Sequence, residues 1–201
     1  MKRGSGGIPH LGGARALVLH RSHADGTAVL RQLAAIGLVA EICWPDLPAG
    51  AGLADFVFFD ADMACDEQMP WAPGEAPMPL IALIGTEAPG RVEWALRQRA
   101  DAHLVKPIGN AGIYSALLIA RQKFDERQAL YREIASLRVQ VSERRTVVQA
   151  VLRLTERGLS EADAFALLRR LAMDGQTTME AAAARLLSET DGGGDGRSVR
   201  R

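Results

Sequence analysis

A set of arginines in the last third of the chain has the type and spacing to grip a nucleic acid. Arg145, Arg153 and Arg157 fall four or eight residues apart, on or near one stripe of a helix, and Arg169 and Arg170 close the helix that follows. A planar guanidinium suits phosphate oxygens and stacks on unpaired bases, and looped RNA exposes both. Arg144 and Gln149 complete the candidate contacts. Glu156, Glu161 and Asp163 supply opposite charge along the same stretch, so a solvated face is the competing reading. A second, smaller group lies earlier in the chain. Asp60 follows one apolar run, Lys106-Pro107 another and His20-Arg21 a third, so these side chains would gather where buried strands end. As bare chemistry Asp60 is a strand-end carboxylate held by a loop amide or by Lys106.

Neither group has the parts of an enzyme. There is no nucleophile with an adjacent base, no phosphate-cradling glycine loop and no metal-ligand spacing, so no catalytic activity, cofactor or metal is expected. Cys43 and Cys65 are the only cysteines and read as small buried hydrophobes. With 201 residues, 48% of them hydrophobic, the chain can fill one ordinary domain and a smaller one. The net charge is zero but uneven: residues 1–120 hold 9 Lys and Arg against 12 Asp and Glu, and residues 121–190 hold 12 against 10. The phosphate-binding end should be the more basic one, and by a small margin it is. No window reaches the roughly 20 apolar residues of a membrane span, and the N-terminal MKRGSGGIPHLGG has glycines where a signal peptide needs an apolar core. A cytoplasmic protein that does not engage the membrane is the expectation.

The elements that position these residues follow from hydrophobic periodicity. Strands are expected at Ala16 to Leu19, Leu38 to Trp44, Asp55 to Phe59, Leu80 to Ile84 and Ala102 to Val105. One helix, carrying Val29, Leu30, Leu33, Ala34 and Ile36, ends at Gly37, and another runs from Arg91 to Arg99 with Val92, Ala95 and Leu96 inward. This alternation predicts an α/β, doubly wound, five-stranded parallel sheet of flavodoxin-like form. Met63 to Pro79 holds four prolines, so the usual third helix is short or replaced by a loop. From Ile113 no Pro or Gly occurs until Gly158. Within that run Leu130, Ile134, Leu137, Val141, Arg144, Val148 and Val151 alternate spacings of four and three, a heptad seam broken once by Arg144. With Ile134 at position a, Glu133 and Arg138 would pair across a parallel homodimer. Three short amphipathic helices fill Val147 to Leu187.

The first 120 residues resemble a response-regulator receiver domain. Asp60 stands where receivers carry the phosphorylated aspartate, and Lys106-Pro107 where they carry Lys-Pro. Receivers end their first strand in two Mg²⁺-holding carboxylates, and this chain has His20-Arg21; their fourth strand ends in Thr or Ser, and this one has Ile84, with Thr86 two residues later. A divalent ion neutralises the incoming phosphoryl oxygens, so the comparison implies a degenerate receiver that is not phosphorylated, with Arg21 paired to Asp60 in the metal's place. The segment from about Glu143 to Ser188 resembles the ANTAR domain, on Gln149-Ala150, the break at Gly158, Ala164-Phe165 with Leu168, and Met179, Ala182, Ala183, Leu186 and Leu187. It departs from that family at Val151, where Lys is usual, and at Asp174 to Thr178, where basic residues are common.

Taken together the chain resembles ANTAR-domain, response-regulator-like transcription antiterminators of the amidase-operon type. The glycines of 1–13 suggest a flexible leader, the heptad spacing a coiled-coil dimerisation helix over 121–146 and the Gly-rich end a disordered tail over 191–201, and the resemblance implies a degenerate receiver over 14–120 and an ANTAR RNA-binding domain over 147–190. It implies a homodimer that grips paired hairpin loops in leader RNA, controlled by a partner protein or ligand. In amidase systems that partner is a ligand-sensing negative regulator of periplasmic-binding-protein type. The alternatives are a phosphorylation-dependent regulator with the same output, a DNA-binding regulator, and a scaffold whose arginines only face water. The third short helix, nearly all Ala and Leu, lacks the base-reading residues a DNA recognition helix needs.

Overall fold

The computed structural model describes residues 11–63 and 65–191. The chain divides into two compact units, Met1–Ala129 and Leu130–Arg201. In the first, five parallel strands lie in the order β2-β1-β3-β4-β5: β1 Arg15–Leu19, β2 Val39–Cys43, β3 Phe56–Asp60, β4 Leu80–Ile84 and β5 Ala102–Val105. Three helices accompany them, α1 Ala24–Ile36, α2 Pro89–Arg97 and the start of α3, which spans Ile113–Glu156. The second unit holds the rest of α3 with α4 Glu161–Asp174 and α5 Met179–Asp191.

The central strands are apolar on both sides because both faces are covered. Phe56 and Phe58 point to the face that carries α1 and α3, where they meet Val29, Leu33, Ile113 and Leu117. Val57 and Phe59 point to the other, against Trp94 and Ala95 of α2 and Met69 and Met78 of the long loop. Gly37 ends α1 with φ +97°, a left-handed conformation that glycine adopts without steric cost.

Several expectations are corrected. Leu11 is not part of a loose leader: it is buried in the sheet core, and the Gly13 amide donates to the Gly37 carbonyl. Residues 1–10 and the tail after Asp191 lie outside the described residues. On α2, Trp94 is the inward residue and Leu96 faces out at 68% exposure. The indole stacks edge-on against Phe59, and its N–H donates to Asp66 at 2.6 Å, a polar partner that lets Trp serve in a core. The proline-rich loop carries only a short 3₁₀ turn, Asp66–Gln68, whose Asp66 also accepts from Arg97 and Gln98.

The compact unit that holds the sheet takes in the start of α3 as far as Ala129. Phe124 is buried, and Arg127 pairs with Asp101, which is 2% exposed and also accepts from the Leu80 amide at 3.1 Å. One carboxylate thus joins α3 to the start of β4. Removing one member of a buried pair typically costs about 3–5 kcal/mol. Asp101→Ala should therefore lower the unfolding free energy of this unit by an amount in that range, read from the shift of its urea midpoint. All three tryptophans, Trp44, Trp71 and Trp94, belong to this unit, so their fluorescence is the readout.

Candidate regulatory site and nucleic-acid interface

Asp60 sits at the end of β3, at the carboxyl edge of the sheet, where the strand order reverses and α/β folds place their sites. Its carboxylate is 6% exposed. Oδ1 accepts from Lys106 Nζ at 2.6 Å and from the Asp62 amide at 3.0 Å. Oδ2 faces His20 Nε2 at 3.3 Å, without the alignment of a hydrogen bond. The other ring nitrogen, Nδ1, donates to the Arg21 carbonyl at 2.7 Å, since a carbonyl can only accept.

The expected pairing of Arg21 with Asp60 does not form. Alternation at the end of β1 turns His20 into the protein, 2% exposed, and leaves the Arg21 side chain exposed with no ion pair among the described residues. The residue that sequence reasoning missed is Asp62. Its carboxylate accepts from the Gly85 amide at 2.9 Å and the Thr86 amide at 3.0 Å, and it pairs with Lys106 Nζ at 2.8 Å. Thr86 therefore takes part through its backbone. Only the Asp-X-Asp spacing could have flagged Asp62, and such spacing is common at loop starts.

Mg²⁺ is the ion a receiver fold implies, and these residues do not fit it. The position that would supply a second carboxylate holds an imidazole with one nitrogen committed to a backbone carbonyl, and both available carboxylates are already paired with the same Lys106 ammonium. No step is derived through a metal.

The electrostatics follow from this packing. Burial raises the Asp62 pKa, but the Lys106 hydrogen bond and charge and the Thr86 and Gly85 amides outweigh it and hold the carboxyl below its usual range. Burial likewise pushes Lys106 down, and hydrogen bonds and charge from Asp60 and Asp62 carry it above its ordinary value instead.

In the second unit, Val147, Ala150, Val151 and Leu154 of α3 pack on Ala164 and Leu168 of α4 and Ala183 of α5. Val151, where the ANTAR pattern usually has Lys, is thus core at 6% exposure. Ser160 caps α4, accepting from the Asp163 amide at 3.2 Å. Arg144, Arg145, Gln149, Arg153, Arg157, Arg169 and Arg170 are all exposed. The first short helix is the end of α3 itself, so Arg145, Gln149 and Arg153 recur every four residues on one uninterrupted face. Gln149 and Arg153 share a groove with Leu152, Glu156 and Leu187. Arg157 lies beyond the end of α3, in the turn that Gly158 closes with φ +94°. Arg153 is 3.7 Å from Glu156, a half-exposed pair of little energetic weight that a phosphate can displace. The structure adds Arg185 of α5, exposed and with Nη1 beside Gly175 in the turn after α4, where the family's basic residues are otherwise missing.

The seam residues are exposed along α3: Leu130, Ile134, Leu137, Val141 and Val148 lie between 44% and 67%. Val151 has left the seam for the core, so the apolar stripe ends at Val148.

The ion-pair geometry fixes a pH profile. The depressed Asp62 contributes stability that is complete above its unfolded value, about 3.9, and lost as pH falls through the lower folded value. The raised Lys106 contributes stability that is complete below about 10.4 and lost as pH rises through the higher folded value. The tryptophan-monitored urea midpoint should fall at both extremes, and Lys106→Met should lower the plateau and flatten the alkaline limb. An alkaline limb of equal steepness in the variant would contradict the assignment.

Comparison with known proteins agrees with both units. The family model for the AmiR N-terminal domain matches residues 14–121, and that for the ANTAR domain matches residues 135–187. The transcriptional regulatory protein PdtaR of Mycobacterium tuberculosis is 36% identical over 103 residues, covering 51% of this chain and 50% of that protein. The chain thus spans about half the length of the curated relatives it matches. Among solved structures, the first receiver domain of ShkA bound to c-di-GMP shares 21% identity, covers 55% of this chain and 94% of its own, and has a TM-score of 0.42. The receiver domain of a modulated diguanylate cyclase from Desulfovibrio desulfuricans shares 15%, covers 57% of this chain and 98% of its own, and scores 0.44. With more than half its length matched by the AmiR N-terminal model, the chain belongs to the AmiR N-terminal family, and an ANTAR domain follows over its C-terminal helices.

Proposed function

We propose that this protein is a homodimeric, RNA-binding transcription antiterminator whose receiver-like unit responds to a partner protein or ligand rather than to phosphorylation. The observation that carries the reading is the apolar stripe Leu130, Ile134, Leu137, Val141 and Val148, open along α3 and leading directly into the helical face of Arg145, Gln149 and Arg153. An apolar heptad seam left in water is a standing cost that a second copy of the same helix removes. Two heads on one stalk then meet paired hairpin loops of a leader RNA. Tethering raises the effective concentration of the second contact, worth a factor of about 10²–10⁴ when both sites engage.

Arg144, Arg145, Arg153, Arg157, Arg169, Arg170 and Arg185 supply phosphate contacts and stacking surfaces, and Gln149 supplies a directional hydrogen bond. Regulation by a ligand-sensing protein of periplasmic-binding-protein type is the family-derived form of the control. Its contact would be the receiver-like unit or the exposed seam. Phosphorylation is disfavoured by the site itself, where an imidazole replaces a carboxylate and Lys106 is already shared. No described helix is long and apolar enough to cross a membrane.

Mobility shifts on a two-hairpin leader RNA test the head. Arg145→Ala with Arg153→Ala should weaken binding by at least about tenfold and lower the salt slope while leaving the dimer intact. Equal affinity for duplex DNA of the same length would reduce the interaction to charge alone. Ile134→Lys with Leu137→Lys should give a monomer in sedimentation equilibrium, and RNA affinity should fall with it. Incubation with acetyl phosphate and Mg²⁺ should leave the protein unlabelled, and stoichiometric labelling that disappears in Asp60→Ala would reverse the regulatory part of the proposal.

A further inference from the structure

Next to Asp60 the chain builds a cage of donors for an oxyanion and fills it with its own carboxylate. The Gly85 and Thr86 amides, consecutive in the loop after β4, both point at Asp62, and Lys106 Nζ closes the third side at 2.8 Å. Successive amides of this kind form an anion-binding concavity, and an ammonium at its mouth makes the hydrogen bonds charge-assisted. Gly85 N meets both carboxylate oxygens, Oδ1 at 3.2 Å and Oδ2 at 2.9 Å. The fit is also steric. A Cβ on Gly85 would stand 2.5 Å from Asp62 Oδ2, far inside van der Waals contact, so the carboxylate occupies the space that any other residue there would need.

We propose that Asp62 is the resident anion of an oxyanion-binding site formed by the Gly85 and Thr86 amides and Lys106, and that this intramolecular carboxylate holds the loop after β4 in the place where a free oxyanion such as inorganic phosphate would otherwise bind. Lys106 bridges Asp60 Oδ1 at 2.6 Å and Asp62 Oδ2 at 2.8 Å, so the two carboxylates flank one ammonium. A group added to Asp60 would meet the negative charge of Asp62 directly. The site is therefore self-occupied: the anion is covalently part of the chain, is present at all times and needs no phosphoryl donor. Its local concentration exceeds that of a free ion by the usual advantage of intramolecular contacts. This inference stands on the cage geometry and is independent of whether the protein binds RNA.

The test uses the full chain, with amide signals of Gly85 and Thr86 followed by NMR. In Asp62→Ala, hydrogen exchange at those two amides should accelerate by at least about tenfold, since each loses its acceptor. Titrated inorganic phosphate should then shift both signals, with an affinity at least about tenfold tighter than for the wild-type protein. Asp62→Asn, which keeps the side-chain shape and one acceptor oxygen, should show intermediate exchange and serves if the alanine variant is poorly folded. Unchanged exchange in both variants would overturn the proposal, as would wild-type protein that binds phosphate as tightly as Asp62→Ala, or a variant with accelerated exchange that binds none. Labelling of Asp60 from acetyl phosphate addresses the phosphorylation question separately, so each reading can fail alone.

Discussion

One ammonium group balances the carboxyl edge of the receiver-like sheet. Lys106 extends from the end of β5 to Asp60 at the end of β3 and to Asp62 just beyond it, while the same Asp62 takes two amides from the loop after β4. Three consecutive strand ends are thereby tied at a single point. Two carboxylates this close would repel each other without a cation between them, and burial would make the repulsion worse. Lys106, standing where receivers also carry a lysine, lies between the two carboxylates and offsets part of their repulsion. His20, at the end of β1, completes the enclosure with one nitrogen fixed on the Arg21 carbonyl and the other turned to Asp60.

The other organising constraint is the continuity of α3. Forty-four residues without a helix breaker serve three different surroundings. The first part, up to Ala129, is fastened to the sheet through Ile113, Leu117, Phe124 and the Arg127–Asp101 pair. The middle offers an apolar stripe to water, and the last three turns are core to the C-terminal unit through Val147, Ala150, Val151 and Leu154. A helix can change its partners this way only because its apolar residues shift from one stripe to another along its length. The heptad runs from Leu130 to Val148, and the inward face of the head begins one residue earlier, at Val147. The two stripes meet at Val147 and Val148, and Val148 also lines the α3–α4 groove with Phe165.

Most of this fold was legible because its signals are local. Fully apolar pentapeptides such as Leu80 to Ile84 bounded by turn residues allow little besides a buried strand, and the unbroken stretch after Ile113 allows little besides a long helix. The proline density of residues 63–79 foretold the lost helix for the same reason. What escaped depended on partners far away in sequence. Asp62 acquires its role from amides 23 and 24 residues later, and nothing about its own neighbourhood announces them. Trp94 displaced Leu96 from the core because Asp66 could satisfy its indole N–H. The glycines around Leu11 suggest a leader, yet the turn at Gly13 carries it into the sheet. Arg21 was placed by analogy with a metal, and strand alternation sent its neighbour inward instead.

The C-terminal unit shows how a neutral charge balance can still present a basic face. Glu156 shares the stripe of Arg145 and Gln149, whereas Glu161 and Asp163 sit in the first turn of α4, where they face the positive end of the helix and Asp163 engages Ser160. Asp163 is engaged in helix capping. Glu156 pairs with Arg153 across a solvated gap of 3.7 Å. A polyanion carries many charges and releases counterions when it binds, whereas this pair contributes at most about 1 kcal/mol. Val in place of Lys at 151 does not take a charge from this face, because that position is turned to the core. Arg185 compensates in part. Its guanidinium reaches Gly175 in the turn after α4, restoring through the fold a positive charge that the loop residues Asp174 to Thr178 do not carry.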